Sequence, residues 1–193
     1  MELSPYHTKY ASLPDAEVQR RIQEKRAELD AIFAIVPPEA ATVEPRVAVL
    51  GCGDKRFVAA HRALFSEFLH TSVILTTCDI AIDHLQGEAG VVQHDCTLPL
   101  PGGPYAITYG HVLLKFMQAE KQWEVIRNSL DALQSGGIAI HVLDSEEITS
   151  VNPVLPNGQF AVPLSRWQTE LGVLGYQNWT VEVRYGVALV ARR

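Results

Sequence analysis

The sequence predicts an α/β domain: a doubly wound, mostly parallel seven-stranded sheet that ends in an antiparallel hairpin, with an extra N-terminal helix. Three observations support this fold. Short apolar runs alternate with amphipathic stretches between residues 46 and 142, as in parallel sheets covered by helices. Most of these runs are apolar on both faces, which is expected where neither face of the sheet meets water. The final segment differs, because one alternating run precedes one continuously apolar run.

The N-terminal segment predicts a helix over residues 14–36. Its apolar residues recur at helical steps, with charges between them: Val18, Ile22, Leu29, Ile32 and Val36. Ser12 and Asp15 are placed to form a capping box, and two prolines follow the helix. We expect this helix to be a packing layer, the alternative being a lid over a substrate pocket. Residues 1–45 are thus predicted as a helical extension, and residues 46–193 as the main domain.

The remaining elements follow from the same patterns. Strands are predicted at residues 46–51, 72–79, 91–95, 106–110 and 137–142, and helices at residues 57–69 and 116–133. Residues 179–184 alternate between apolar and polar, as in a half-exposed strand near an edge, whereas residues 187–191 are continuously apolar. Gly186 lies between these two runs. We therefore expect a hairpin whose final strand lies inside the sheet.

Composition excludes several classes of protein. The chain has 193 residues, of which 47% are hydrophobic and 20% charged, so disorder is a poor interpretation. Its net charge of −6 would repel a phosphate backbone, and we expect no nucleic-acid partner. No apolar stretch is long enough for a bilayer and no secretory signal begins the chain, so we expect a cytoplasmic protein without a membrane partner.

The three cysteines are too few and too widely spaced for a disulfide framework, which fits a reducing compartment. The run His94-Asp95-Cys96 offers three metal-ligating side chains in sequence. Consecutive residues of a strand point to opposite faces, so these three cannot all reach one ion. We therefore predict no metal site.

A glycine turn after the first strand is the strongest candidate for a ligand site. Gly51 and Gly53 follow a buried strand and precede a helix, and they lack side chains that would block a ligand. The alternative is a tight structural turn alone. A dinucleotide fingerprint would need a third glycine where Arg56 stands, which makes a nicotinamide cofactor a minority hypothesis.

Two acids follow the next two strands. Asp79 ends the second predicted strand and Asp95 ends the third, and in a parallel sheet both would face the same crevice. One acid there can accept hydrogen bonds from ribose hydroxyls and the other from an exocyclic amine. The alternative for each is an exposed loop acid or a helix cap.

These residues resemble the class I, Rossmann-like, S-adenosylmethionine-dependent methyltransferases. Leu50-Gly51-Cys52-Gly53 is similar to the family's first motif, Asp79 to its ribose-binding acid and Asp95 to its adenine-contacting acid. The resemblance covers residues 46–193. It implies S-adenosylmethionine as cofactor and methyl transfer to an acceptor, for which a small molecule is favoured over a protein. The cofactor-binding residues that it implies are Gly51, Cys52, Gly53, Asp54, Asp79, Ile80, Asp95 and Cys96.

A base close to the methyl group would help to deprotonate an amine or hydroxyl acceptor. His111, after the fourth strand, is our candidate, with Tyr109 as a wall or hydrogen-bond donor; the alternative for His111 is packing or capping of the next helix. His141 and Asp144 are weaker candidates. Residues 145–163 are rich in Pro, Asn and Gly and are expected to help form the acceptor pocket.

The sequence also departs from the family pattern. Val49 stands where the family has an acid that helps to hold the methionine amino group, Lys55 replaces a third glycine, and Ala106 replaces an acid before the fourth strand. We expect Asp54 to supply the missing carboxylate. The rival hypothesis is a catalytically weak or inactive methyltransferase-like subunit with a binding or regulatory role.

Overall fold

The computed structural model describes residues 13–39, 44–149, 154–155 and 158–193. Its sheet has seven strands in the order β3-β2-β1-β4-β5-β7-β6, and β7 alone runs in the direction opposite to the other six. The predicted fold is therefore confirmed, including the terminal hairpin with its last strand inside the sheet. The strands are β1 (Arg46–Leu50), β2 (Ile74–Asp79), β3 (Val91–Gln93), β4 (Tyr105–His111), β5 (Leu133–Asp144), β6 (Gln177–Val183) and β7 (Gly186–Arg192).

Helices cover both faces of the sheet. In chain order they are α1 (Asp15–Ile35), α2 (Arg56–Phe68), α3 (Ala119–Asp131), α4 (Ser145–Thr149) and α5 (Leu164–Val173). Apolar residues of α1 and α2 form one buried cluster with Val47 and Val49 of β1, whereas those of α3 and α5 pack with Ala48 and Leu50. Successive residues of β1 thus enter opposite layers, which explains why the strand is apolar throughout.

Several element boundaries differ from the sequence prediction, and three of them have a clear cause. The strand β3 ends at Gln93 because the Asp95 carboxylate accepts the Thr97 amide and turns the chain. The strand β5 begins at Leu133, since its first residues pair with β4 across a register shift. The helix α3 begins at Ala119, because a separate 3-10 turn occupies Leu114–Phe116.

The N-terminal helix is confirmed, at Asp15–Ile35. Pro14 is its N-cap and makes no side-chain capping bond; Ser12 of the expected capping box lies outside the described residues. Leu29 and Ile32 are fully buried against the sheet and α2. Of the helices that the structure describes, none combines the length and apolar character needed to cross a membrane.

We propose that α1, the described helix of the predicted extension 1–45, folds together with the domain. Ile32→Ala leaves a cavity under α1 and should lower the free energy of unfolding by about 2–5 kcal/mol. Ile35→Ala on the same helix is the matched control, because Ile35 is 56% exposed; its effect should be about 0.5 kcal/mol or less. Urea denaturation measures both, and equal effects or a separate transition for α1 would contradict the proposal.

Candidate functional site

A cavity of about 950 Å³ opens at the carboxyl edge of the parallel strands, with α1 along one side. This volume is near the top of the range of about 300–1,000 Å³ for small-molecule pockets. Its wall brings together the loop after β1, the residues after β2 and β3, the end of β4 and one face of α1. The residues concerned are Lys25, Glu28, Gly51, Cys52, Gly53, Asp79, Ile80, Asp95, Cys96 and His111.

Contacts with neighbouring residues fix the conformation of the loop after β1. Gly51 has φ +77°, a backbone conformation that favours glycine, and a Cβ there would lie 3.1 Å from the Leu113 side chain, which would have to shift slightly. The Cys52 amide donates to Asp79 Oδ2 at 2.7 Å, and the ring Nε2–H of His84 donates to the Cys52 carbonyl at 2.6 Å. Burial raises the pKa of the Cys52 thiol to about 12, so this thiol is neutral and a poor nucleophile.

Both predicted acids lie in the cavity wall. Asp79 is only 6% exposed, and its second oxygen accepts the Ala81 amide at 3.0 Å. The Asp95 carboxylate accepts the Thr97 amide at 2.9 Å and the Thr97 hydroxyl at 2.8 Å; these bonds lower the pKa of Asp95. Ile80, between the two acids in sequence, presents an exposed apolar side chain to the cavity.

The structure does not bring Asp54 to the cavity. Its buried carboxylate accepts the Arg56 amide at 2.8 Å and the Arg56 side-chain Nε–H at 3.0 Å. The same guanidinium reaches the start of α1, where it binds Asp15 at 2.7 Å and, just before the helix, the Leu13 carbonyl at 3.0 Å. The expected role of Asp54 as the missing carboxylate thus conflicts with this geometry. Arg56 is also directed away from the cavity, so it does not block the space beside the glycine turn.

The two predicted catalytic residues are neighbours in the cavity wall. The ring Nε2–H of His111 donates to Glu28 Oε2 at 3.0 Å, and the His111 side chain is 27% exposed. Burial lowers the pKa of His111 and Lys25 lowers it further, whereas Glu28 acts in the opposite direction. Tyr109 is fully buried, and its hydroxyl has no hydrogen-bond partner within the described chain.

Lys25, Glu28 and His61 reach the same wall and were missed by the sequence analysis. All three are at least nine-tenths buried. Lys25 lies at a helical step between Ile22 and Leu29, so it occupies a position of the apolar stripe of α1. A charged residue at such a position was the one signal in the sequence that could have identified it.

The two weaker candidates, His141 and Asp144, differ in their position relative to the cavity. His141 is fully buried outside the cavity wall, and burial lowers its pKa to about 4. Asp144 does line the cavity, where its carboxylate accepts the Lys115 ammonium at 2.7 Å. Gln159 also lines it, and so one residue of the segment 145–163 is placed at the expected pocket.

Comparison with known proteins identifies the fold. No protein-family model matches the sequence, and a search of curated proteins finds no match either. Among solved structures, magnesium protoporphyrin IX methyltransferase (ChlM) from Synechocystis PCC 6803 with bound SAM is 14% identical, with a TM-score of 0.58, over 100% of this chain and 99% of that one. The sugar N-methyltransferase KedS8 from Streptoalloteichus sp. ATCC 53650 is 12% identical, with a TM-score of 0.63, over 95% and 93%.

An O-methyltransferase family protein from Burkholderia thailandensis is 13% identical over 91% of this chain, with a TM-score of 0.59, but the chain spans only 55% of that protein's length. The likeness to these structures extends over nearly the whole chain and includes the terminal hairpin.

The chain has the class I methyltransferase fold. In this fold, the segments that resemble the family's cofactor motifs meet at one cavity, although Gly51 and Asp95 are 44 residues apart in the sequence. The role of the predicted cofactor-binding residues stays a prediction. Val49 leaves the end of β1 without a carboxylate, and the Asp54 carboxylate is bound by Arg56 and is not among the residues that line the cavity.

The charges that surround His111 predict opposite effects of two substitutions on its pKa. Glu28→Gln removes the carboxylate that favours the charged ring, so the pKa of His111 should fall further below its usual value. Lys25→Met removes a repelling charge, so this pKa should rise. Titration of the His111 ring signal by NMR measures both; shifts in the same direction would contradict the arrangement of the three residues.

Proposed function

We propose that this protein transfers a methyl group from S-adenosylmethionine to a small-molecule acceptor. The observation that carries the proposal is the meeting of the glycine loop, Asp79 and Asp95 at one cavity of about 950 Å³. Solved structures that share the fold include one with bound SAM and others in complex with SAH.

The residues of this cavity fit an adenosine group. Gly51 and Gly53 contribute no side chains of their own at the edge of the sheet, which allows a ligand to approach the backbone closely. Asp79 has carboxylate oxygens suited to ribose hydroxyls, and Asp95 has oxygens suited to the exocyclic amine of a purine. Ile80, which directly follows Asp79, adds an exposed apolar surface to the cavity wall, against which an aromatic base can pack.

The cofactor, when bound, supplies a methyl group that its sulfonium already activates. The protein's own contribution is then positioning and the exclusion of water. His111 adds a base, because its lowered pKa keeps the ring neutral near pH 7. Its Nε2–H is donated to Glu28, so Nδ1 has the lone pair that can accept a proton from a hydroxyl or amine.

A small acceptor suits the enclosure of the cavity. The Tyr185 hydroxyl, in the turn between β6 and β7, donates to Glu24 Oε1 of α1 at 3.0 Å, and both residues line the cavity. Phe116 and Met117 supply apolar wall after β4. The names of KedS8 and ChlM, a sugar and a porphyrin methyltransferase, agree with an acceptor of this class.

The rival hypothesis, an inactive binding or regulatory subunit, has less support. It depends on the departures from the family pattern at Val49, Lys55 and Ala106. A side chain that filled the ligand-binding space would support it further. Arg56 is instead bound to Asp54 and Asp15, and Lys55 is exposed and outside the cavity wall.

Calorimetry tests whether the protein binds the proposed cofactor. S-adenosylhomocysteine should bind the wild type, NAD should not, and Asp79→Asn should weaken binding by about 10- to 100-fold because it removes a charged acceptor and loosens the Cys52 amide. Asp83→Asn is the matched control, since Asp83 is exposed and outside the cavity wall. Failure of both S-adenosylmethionine and S-adenosylhomocysteine to bind would refute the proposal.

A methyl-transfer assay tests the role of His111 as the base. With an acceptor found by screening small amines and alcohols against a labelled methyl donor, His111→Gln should lower kcat by about 10²- to 10⁴-fold. Cofactor affinity should change little. Wild-type activity should decline as the pH falls through the lowered pKa of His111, since the base is then protonated. An unchanged kcat and pH profile in His111→Gln would remove His111 from the mechanism.

A further inference from the structure

The helix α1 presents two opposite charges to the cavity. Lys25 and Glu28 are three residues apart and so lie on the same face of α1. Lys25 is 8% exposed and Glu28 is 5% exposed, and both line the cavity wall. Two nearly buried charges on one helical turn, facing the same cavity, require a physical explanation.

The Lys25 ammonium has no hydrogen-bond or ion-pair partner among the described residues. It lies 5.6 Å from the ring centroid of Phe57 and 5.8 Å from that of Tyr109. Burial lowers the pKa of Lys25 to about 8, against the pull of Glu28. Burying an ammonium without a paired anion costs free energy. Buried charged groups with perturbed pKa values cluster at binding and catalytic sites.

Two further donors, on Tyr109 and on the neighbouring His61, lie in the same part of the cavity wall and also lack partners. His61 has no hydrogen bond at either ring nitrogen, and Tyr109 has none at its hydroxyl, within the described chain. Their ring centroids are 5.7 Å apart, and both residues line the cavity. One cation and two neutral donors at a single place suit a carboxylate, which has several lone pairs to offer.

Glu28 is the acid in this part of the wall with capacity for a ligand. Only its Oε2 is bonded, to His111, among the contacts of the described chain. The other acids nearby already pair with a cation, Glu24 with Arg20 and Asp144 with Lys115, whereas no Lys or Arg of the described residues lies within ion-pair distance of Glu28. Glu28 therefore has an oxygen available for an ammonium group.

We propose that α1 recognises the α-amino-acid end of the cofactor. Lys25, together with His61 and Tyr109, binds the carboxylate, and Glu28 binds the ammonium. The inference rests on the proposed function and assigns to α1 the carboxylate that β1 lacks at Val49. The N-terminal helix is then a part of the binding site as well as a packing layer.

The test compares two ligands that share the adenosine and the sulfur atom and differ in whether they have the amino-acid end. S-adenosylhomocysteine has the amino-acid end, whereas 5′-deoxy-5′-methylthioadenosine keeps the adenosine and sulfur but lacks it. In calorimetry, Lys25→Met and Glu28→Gln should each weaken S-adenosylhomocysteine binding by about 10- to 100-fold. Binding of methylthioadenosine should change by less than about twofold.

Arg26→Met is the matched control, because Arg26 is on the same helix but pairs with Glu67 outside the cavity wall. It should leave both affinities unchanged. If the wild type binds both ligands and the Lys25 and Glu28 variants keep the wild-type ratio of affinities, this inference is wrong while the proposed function survives. If the wild type binds neither ligand, both fail.

Thermal unfolding without ligand separates binding from a structural role. Lys25→Met removes an unpaired buried charge and keeps most of the volume, so the Tm should equal or exceed that of the wild type. A fall in Tm as large as that of Ile32→Ala would assign Lys25 to the core and overturn the inference.

Discussion

The bond from the Cys52 amide to the Asp79 carboxylate is the constraint on which the site depends. It joins the ends of β1 and β2 at 2.7 Å and fixes a loop whose glycines leave the backbone open. The same carboxylate accepts the Ala81 amide, so the chain on both sides of Asp79 is held. A parallel sheet places these ends at one edge, and the open loop makes that edge accessible to a ligand.

The second feature of the site is a helix that serves both packing and binding. Leu29 and Ile32 of α1 are buried in the core, while Lys25 and Glu28, on the same helix, face the cavity. Arg56 connects the start of this helix to the glycine turn through Asp54 and Asp15. The position of α1 is therefore tied both to the core and to the loop after β1, which gives its charges a defined place relative to a bound ligand.

The order of the elements could be predicted because it depends on local patterns. Apolar runs and helical spacing are visible in short windows, and the contrast between residues 179–184 and 187–191 placed the hairpin correctly. The partners of charged side chains could not be predicted in this way. Asp54 was expected at the cavity, but Arg56, two residues later, holds it elsewhere. His111, the last residue of β4, was predicted as a candidate from its position near the end of a strand, whereas its partner Glu28 is 83 residues away in the sequence.

The most direct test of this account is a crystal structure of the protein grown with S-adenosylhomocysteine. We expect the nucleoside in the cavity, with its ribose at Asp79, its base near Asp95 and Ile80, and its amino-acid end against α1. Density for the nucleoside at another surface, or a cavity that stays empty at a saturating concentration, would contradict the central claim that this edge of the sheet is an adenosyl-binding site.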